Sequence, residues 1–161
     1  MPQPTYMWLK DHAGTEVKGS VTIPGREGSV EIWQFDHKVH APTDDHTGNI
    51  TGTRKHDAIT IIKPFDASSI YLYRGVCNGE NFTDIEFKWY QIEETGNEVE
   101  YFNHTLKDCQ ITSVRPIQFN IKDPTKDRYV HLEEVQIRYK EITWKFIPDN
   151  AETTDSWSSR E

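Results

Sequence analysis

The sequence predicts a mainly β domain with one α-helix and one long loop. Residue composition is the first observation, because 15 Ile and 9 Val outnumber 4 Leu and 5 Ala, and there are 16 Thr. β-branched side chains lose rotamer freedom in helices and pack well on pleated sheets. The second observation is a series of short alternating segments separated by turn residues, which is typical of antiparallel strands. The third is that a single segment has apolar residues at helical spacing.

The size and charge of the chain limit the classes of function. The 161 residues fall within the usual length of one domain, so residues 1–161 are predicted to fold around a single core. A formal net charge of -8 disfavours a nucleic-acid partner, because nucleic acids are held by basic surfaces. No run approaches the roughly 18 apolar residues that a membrane span needs, so membrane insertion is not expected.

Two strands are predicted in the first quarter of the chain. Thr5–Lys10 is rich in aromatic and bulky residues, and Ser29–His40 is expected to be one long strand. Successive side chains of a strand point to opposite faces, so the second strand divides into two sets. The set expected to pack in the core is Trp33, Phe35 and Val39. The set expected to meet solvent or a partner is Gln34, Asp36 and Lys38.

A long loop is predicted over Ala41–Arg54, which contains a proline, two glycines, two aspartates and four threonines but one large aliphatic residue. Loops of this length are uncommon inside compact domains unless they have a function. The loop has too few apolar residues to build a core, and its order is therefore expected to come from a partner. The loop residues selected as candidates are Pro42, Thr43, Asp44, Asp45, His46, Thr47, Gly48, Asn49, Thr51, Gly52 and Arg54.

The single predicted helix follows an extended segment at Lys55–Phe65. Asp66–Ser69 supplies the polar residues that commonly precede a helix, and Gly79 is expected to end it. The apolar residues at roughly helical spacing between these two points are Ile70, Leu72, Tyr73 and Val76.

From Asn81 onward the pattern indicates a meander of strands. The turn residues Thr95–Asn97 separate two alternating segments and predict a hairpin. In the last long run the alternation reverses after Lys140–Glu141, which implies a bulge or a switch between sheets. Residues 148–161 are polar apart from Trp157, and they are predicted to be a mobile tail unless a partner holds them.

No pattern in the sequence indicates catalysis, a metal site or a cofactor. The chain contains no Gly-x-Ser-x-Gly motif, so no nucleophile is predicted. Four histidines fall within one twenty-residue stretch, but their spacing matches no common ligand pattern; they are His37, His40, His46 and His56. Cys77 and Cys109 match neither a metal nor a redox spacing, and whether they pair stays open.

Several segments together resemble the haemolysin-coregulated protein (Hcp) family, the tube-forming proteins of bacterial type VI secretion. The segments follow the order of the family and extend from the first strand to the final Asp155–Trp157. They are Tyr6–Lys10, Lys18–Val30, Pro42–Lys55, Asp66–Tyr73, Glu86–Tyr90, Glu98–Asn103 and His131–Trp144.

The resemblance implies a compact barrel of two packed antiparallel sheets flanked by one helix. It also implies hexameric rings that stack into a tube inside a contractile sheath. Such a tube is expelled with a VgrG-like spike protein and can hold small effector proteins in its lumen. The family is not catalytic, so we expect no enzyme and no cofactor.

Roles in such a ring follow for the two candidate segments. The long loop is expected to contact the neighbouring subunit, because it has too few apolar residues to build a core of its own. The resemblance implies that Gln34, Asp36 and Lys38 face the lumen, and the alternative is that they face bulk solvent on the exterior of the ring. The chain is expected to assemble in the cytoplasm and to be secreted through the type VI system without a signal peptide. The alternative hypothesis is a cytoplasmic β-barrel module that binds a ligand or glycan, which would be a monomer with a concave pocket.

Overall fold

The computed structural model describes residues 3–158, and over this range the mainly β class with one α-helix is confirmed. A 3₁₀ turn lies at Pro124–Lys126, where the Asp123 side chain accepts from the Thr125 backbone N–H. The elements are β1 (Thr5–Lys10), β2 (Glu16–Val17), β3 (Val30–Ile32), β4 (Gln34–Asp36), β5 (Val39–His40), β6 (Lys55–His56), β7 (Ile59–Pro64), α1 (Ser69–Asn78), β8 (Asn81–Ile92), β9 (Glu98–Ile117), β10 (Leu132–Arg138), β11 (Glu141–Phe146) and β12 (Ala151–Ser156).

Ten of these strands form one antiparallel sheet with the order β2-β1-β8-β9-β10-β7-β4. β3 pairs with β1, β11 pairs with β9, and β12 pairs with β11, while β5 and β6 form a separate two-stranded sheet. The sheet is not closed into the barrel that was expected. The segment that contains β3 and β4 crosses between the two ends of the sheet, because β3 pairs with β1 and β4 pairs with β7. The change of partner occurs at Trp33, whose backbone N–H donates to the Ile62 carbonyl at 2.8 Å.

The 20-residue strand β9 is the centre of the sheet. It pairs with β8 along one edge, and along the other edge it pairs first with β11 and then with β10. The strand is interrupted between β10 and β11 at Tyr139 and Lys140. This interruption lies opposite Asp108, which has a left-handed backbone with φ of 50°. The predicted reversal of alternation corresponds to this break, because β10 has β7 and β11 has β12 as its second neighbour.

The predicted helix α1 is confirmed and packs against β9. It ends at Gly79, whose left-handed φ of 67° is readily adopted by glycine. A Cβ atom on Gly75 would lie 2.8 Å from the ring of Phe82, so glycine permits the close approach of helix and sheet. Within residues 3–158, no helix is long and apolar enough to cross a membrane.

The single long strand predicted over Ser29–His40 is wrong, because the chain forms three short strands there. Val30 and Ile32 are buried before the switch at Trp33, whereas Trp33 itself is exposed. The switch between sheet edges reverses which side chains face inward. Of the three residues expected in the core, only Phe35 packs against it, and Trp33 and Val39 are exposed.

The predicted mobile tail is corrected over its described part, because residues 151–156 form β12. A tight turn with a left-handed Asn150 (φ 49°) brings Ala151 opposite Phe146. Backbone groups make the hydrogen bonds between strands, so an edge strand can have polar side chains exposed on both of its faces. Residues 159–161 of the predicted tail lie outside the described residues.

Candidate functional site

The predicted loop is the distal part of a two-stranded arm, which we define as residues 39–56. Strands β5 and β6 form its base, where Val39 faces His56. Beyond them, the N–H of Thr51 donates to the Pro42 carbonyl at 2.8 Å, and the N–H of Asp44 donates to the Asn49 carbonyl at 2.8 Å. The loop therefore has backbone order of its own, contrary to the expectation that a partner must supply it.

The arm exposes nearly all of its side chains. Among the eleven candidate residues, only Pro42, Asp44 and Arg54 are half-buried and the others are exposed. Ile50, the one large aliphatic residue between β5 and β6, is 70% exposed. Burying such a side chain against another surface releases on the order of 2 kcal/mol, so the arm presents an apolar contact point among polar residues.

Asp155 on β12 clamps the base of the arm. Its carboxylate accepts from Arg54 Nε at 2.9 Å and from Arg54 Nη2 at 2.8 Å, and Nη2 also donates to the Ser156 carbonyl at 2.9 Å. A two-point guanidinium–carboxylate contact fixes both distance and orientation. The hydrogen bonds from Arg54 and from His56 hold the pKa of Asp155 well below its ordinary range.

A chain of hydrogen bonds extends from Asp155 into the domain. His56 Nε2 lies 2.7 Å from the Asp155 carboxylate, His56 Nδ1 lies 2.6 Å from the Tyr139 hydroxyl, and that hydroxyl lies 2.8 Å from His37 Nε2. A carboxylate only accepts, so His56 Nε2 donates to it. With a neutral imidazole, His56 Nδ1 then accepts from Tyr139 and Tyr139 accepts from His37. Burial raises the pKa of Tyr139 and lowers that of His37, which keeps both groups neutral.

Trp157 covers this chain of hydrogen bonds. The Trp157 ring stacks on His56 at 5.6 Å and meets the edge of Tyr139 at 5.0 Å. The backbone N–H of Trp157 donates to the Lys140 carbonyl at 2.9 Å. The sequence reasoning did not identify this clamp of His56, Tyr139, Asp155 and Trp157. The available signal was Trp157 itself, a large aromatic residue in an otherwise polar segment that needs a packing partner.

The second set of candidates, Gln34, Asp36 and Lys38, is exposed, as predicted for the outward side of the segment. Gln34 and Asp36 lie on β4, the end strand of the sheet, where their partners on β7 are Ile62 and Thr60. The structure does not bring these three residues into contact with the distal part of the arm. They form a separate candidate surface.

A flat polar face runs across β1, β8, β9, β11 and β12. One row of facing residues is Trp8, Glu86, Thr105, Thr143 and Thr154. The adjacent row is Lys10, Asp84, Lys107, Glu141 and Ser156, and in it Lys107 donates to Asp84. Opposite charges therefore alternate across neighbouring strands, which suits a wet surface.

Residues 3–158 contain no group of three or more His, Cys, Asp or Glu side chains arranged to hold a metal ion. Cys77 and Cys109 do not pair, since both are free thiols. Burial raises the pKa of the Cys109 thiol, whereas Cys77 is exposed on α1.

Comparison with known proteins identifies the family. The model of the family described as "Type VI secretion system effector, Hcp" matches residues 6–146. The chain belongs to the Hcp family of type VI secretion proteins. Hcp proteins are structural, secreted tube proteins and not enzymes, which confirms the resemblance and the expectation that this chain is not an enzyme.

Individual Hcp proteins share both sequence and fold with this chain. The "Major exported protein" of Pseudomonas aeruginosa is 32% identical over 141 residues, which cover 88% of this chain and 82% of that protein. The solved structure of mutants of the Hcp1 protein from E. coli EAEC 042 is 42% identical, covers 96% of this chain and 98% of its own, and has a TM-score of 0.85. The secreted protein Hcp3 from Pseudomonas aeruginosa, 24% identical, covers 98% of this chain and 100% of its own with a TM-score of 0.80, and shows the fold alone.

Proposed function

We propose that this chain is a subunit of hexameric rings that stack to form the inner tube of a type VI secretion system. The observation that carries the proposal is the family match over residues 6–146, because Hcp proteins form ring assemblies in that system. The 42% identity to a solved Hcp1 structure over 96% of the chain supports a common subunit shape. The family membership favours this structural role over a module that binds a ligand or glycan.

The arm contacts the neighbouring subunit in the proposed ring. In a ring, each subunit uses one surface to bind a different surface of the next subunit, and the rotation closes the circle. The arm suits such a contact because it projects exposed polar groups and Ile50 without packing them on its own domain. An arm that is held in one direction at its base also loses little conformational entropy when it binds.

The wall of the lumen is formed by polar strand surfaces in the proposed tube. Gln34, Asp36 and Lys38 are assigned to it from the family resemblance, and their exposure is compatible with a wet channel. The flat polar face around Thr105 is a second surface of suitable chemistry.

Cysteine labelling separates these two candidate surfaces. Asp36→Cys and Thr105→Cys are made in a Cys77→Ser background, since Cys77 is exposed and would react. A large maleimide should label Asp36→Cys readily in dilute subunits and slowly in stacked tubes. Equal rates in both states at position 36, with protection at position 105, would move the wall to the flat polar face.

The proposed tube has partners outside the ring and a defined route of export. Rings assemble in the cytoplasm, stack inside a contractile sheath and are expelled with a VgrG-like spike protein, and the lumen carries small effector proteins. Export is supported by the relative that is named for it, the "Major exported protein" of Pseudomonas aeruginosa. The absence of any indicated reaction centre in the described residues is consistent with a carrier role.

Negative-stain imaging of the purified protein tests the proposal. We expect closed rings with a central hole, and class averages with six-fold symmetry. A field of small compact particles without rings, at concentrations from one to one hundred micromolar, would overturn the assembly role. The ligand-binding alternative gives that second result.

A further inference from the structure

We propose that Asp155 is a positioning residue for ring assembly, which holds the arm in the orientation that the neighbouring subunit binds. This inference rests on the proposed ring function. It assigns an assembly role to β12, which lies beyond residues 6–146, the part of the chain that the family model matches.

Within residues 3–158, the arm forms no strand pairing with the main sheet. Among the described residues, β5 and β6 pair only with each other, while the other ten strands form one sheet, so the backbone of the arm is joined to that sheet only by the chain segments 37–38 and 57–58. A two-stranded ribbon attached at one end is marginally stable and can swing about its base. The side-chain contacts at that base therefore set its direction.

The contacts at the base of the arm converge on Asp155. Arg54 and His56, both on the returning side of the arm, direct three nitrogen atoms to the two oxygens of its carboxylate. Arg54 is tied further to the Ser156 carbonyl. Removing the charge of one carboxylate thus weakens every one of the contacts to Asp155 at once.

Asp155 is itself held by the domain on which the arm stands. It lies opposite Ile142, a fully buried residue of β11, and the next aromatic residue, Trp157, packs on the core. The arm is thus connected through Asp155 to a fixed part of the domain. A pre-oriented arm lowers the entropic cost of association, because its direction need not be fixed when the neighbour binds.

The test compares Asp155→Asn with Glu152→Gln, which removes the same charge from an exposed position on the same strand. The first measurement is the rate of trypsin cleavage after Arg54 and Lys55 in dilute subunits. The second is the concentration at which half of the chains are in rings, measured by sedimentation. Thermal melting reports whether each variant is folded.

We expect trypsin to cleave Asp155→Asn about ten times faster than wild type, and Asp155→Asn to need about ten times more protein for assembly. A tenfold change corresponds to about 1.4 kcal/mol in the free energy of the equilibrium. Glu152→Gln should behave like wild type in both measurements. If Asp155→Asn does not fold, Asp155→Glu replaces it, since it keeps the charge but displaces the carboxylate; it should show a smaller change in the same direction.

Three results would overturn the inference. The first is cleavage of Asp155→Asn at the same rate as wild type. The second is faster cleavage of Asp155→Asn with unchanged assembly, and the third is an equal effect of Asp155→Asn and Glu152→Gln. If the wild-type protein itself forms no rings, the proposed function fails and the assembly role of Asp155 fails with it. Ring formation by wild type and by Asp155→Asn at the same concentration would remove the inference and leave the proposed function intact.

Discussion

Lys63 and Glu133 form a fully buried ion pair between β7, β10 and the start of α1. Lys63 Nζ donates to Glu133 Oε1 at 2.5 Å and lies 3.1 Å from an Asp66 carboxylate oxygen, and Ser69 Oγ also donates to Glu133 at 2.7 Å. Glu133 Oε2 has no hydrogen-bond partner among the described residues. Both charges are removed from water, so each depends on the other.

Substituting one member of this pair should therefore be costly. We expect Lys63→Met to lower the free energy of unfolding by about 3–5 kcal/mol, because it leaves two carboxyl groups buried without a cation. The double variant Lys63→Met/Glu133→Leu should recover at least about 1 kcal/mol of that loss. Urea unfolding at pH 7 of wild type, the single variants Lys63→Met and Glu133→Leu, and the double variant measures these values and their additivity. Additive losses in the double variant would contradict the interpretation of a coupled pair.

His104 on β9 is a buried histidine surrounded by aromatic rings. Trp89 Nε1 donates to His104 Nδ1 at 2.9 Å, and the rings of Phe35 and Phe102 lie 5.1 and 5.3 Å away. Burial, with a smaller contribution from the nearby His37, lowers the pKa of His104 from the ordinary 6.5 to about 4. The folded chain therefore resists protonation at a site that the unfolded chain protonates readily.

This difference predicts a pH dependence of stability. The unfolded state binds a proton at His104 as the pH falls below about 6.5, whereas the folded state does so only near 4, so stability is lost across that interval. Wild type should lose about 3 kcal/mol more than His104→Gln between pH 7 and pH 4. Glutamine still accepts from Trp89 but does not titrate. Parallel stability curves, measured by urea unfolding below the assembly concentration, would contradict the assignment.

At the residue scale, the sequence predicted the exposed candidates better than the buried polar groups. The outward side of Gln34, Asp36 and Lys38 follows from alternation, which needs only local geometry. Lys63 occupies an inward position of β7 next to Ile59 and Ile61, and no local pattern distinguishes such a lysine from a solvated one. Its partner Glu133 is 70 residues away, so only the fold brings them together.

The arm is the element whose removal tests the proposed contact. Thr43 and Ile50 face each other across the arm, so Asp44–Asn49 can be replaced by a two-residue Asn-Gly turn without disturbing the base. We expect a folded monomer, because the clamp around Asp155 lies outside the replaced segment. Circular dichroism reports the fold and light scattering reports the mass. Ring formation by the shortened protein would show that the distal arm makes no essential contact.

Among the elements, those defined by local chemistry were predictable. The helix follows from the helical spacing of its apolar residues, and its end follows from the left-handed Gly79. The hairpin follows from a turn containing Gly96, whose φ of 86° is left-handed. The division of Ser29–His40 into short strands was not predictable. It arises because β3 pairs with β1 whereas β4 pairs with β7, and both partners are distant in the sequence. β12 was missed since its side chains are polar, although Asp149–Asn150 is a recognisable turn.

At the scale of the whole molecule, the main sheet carries an arm whose base is held by hydrogen bonds to the Asp155 carboxylate. The sheet supplies the flat surfaces and the buried core, and the arm supplies an exposed contact point that the domain does not use itself. Each surface carries many polar groups, and the chain has a net charge of -8. Specific contacts must therefore hold the proposed ring together against charge repulsion between its subunits.

Sedimentation equilibrium of the purified wild-type chain tests the central claim most directly. The account predicts a species of about 113 kDa, six times the 18.8 kDa of one chain, with larger stacked species at higher concentration. The measurement depends on mass alone and does not require knowledge of effectors or of the spike protein. A single 18.8 kDa species throughout the micromolar range would contradict the account.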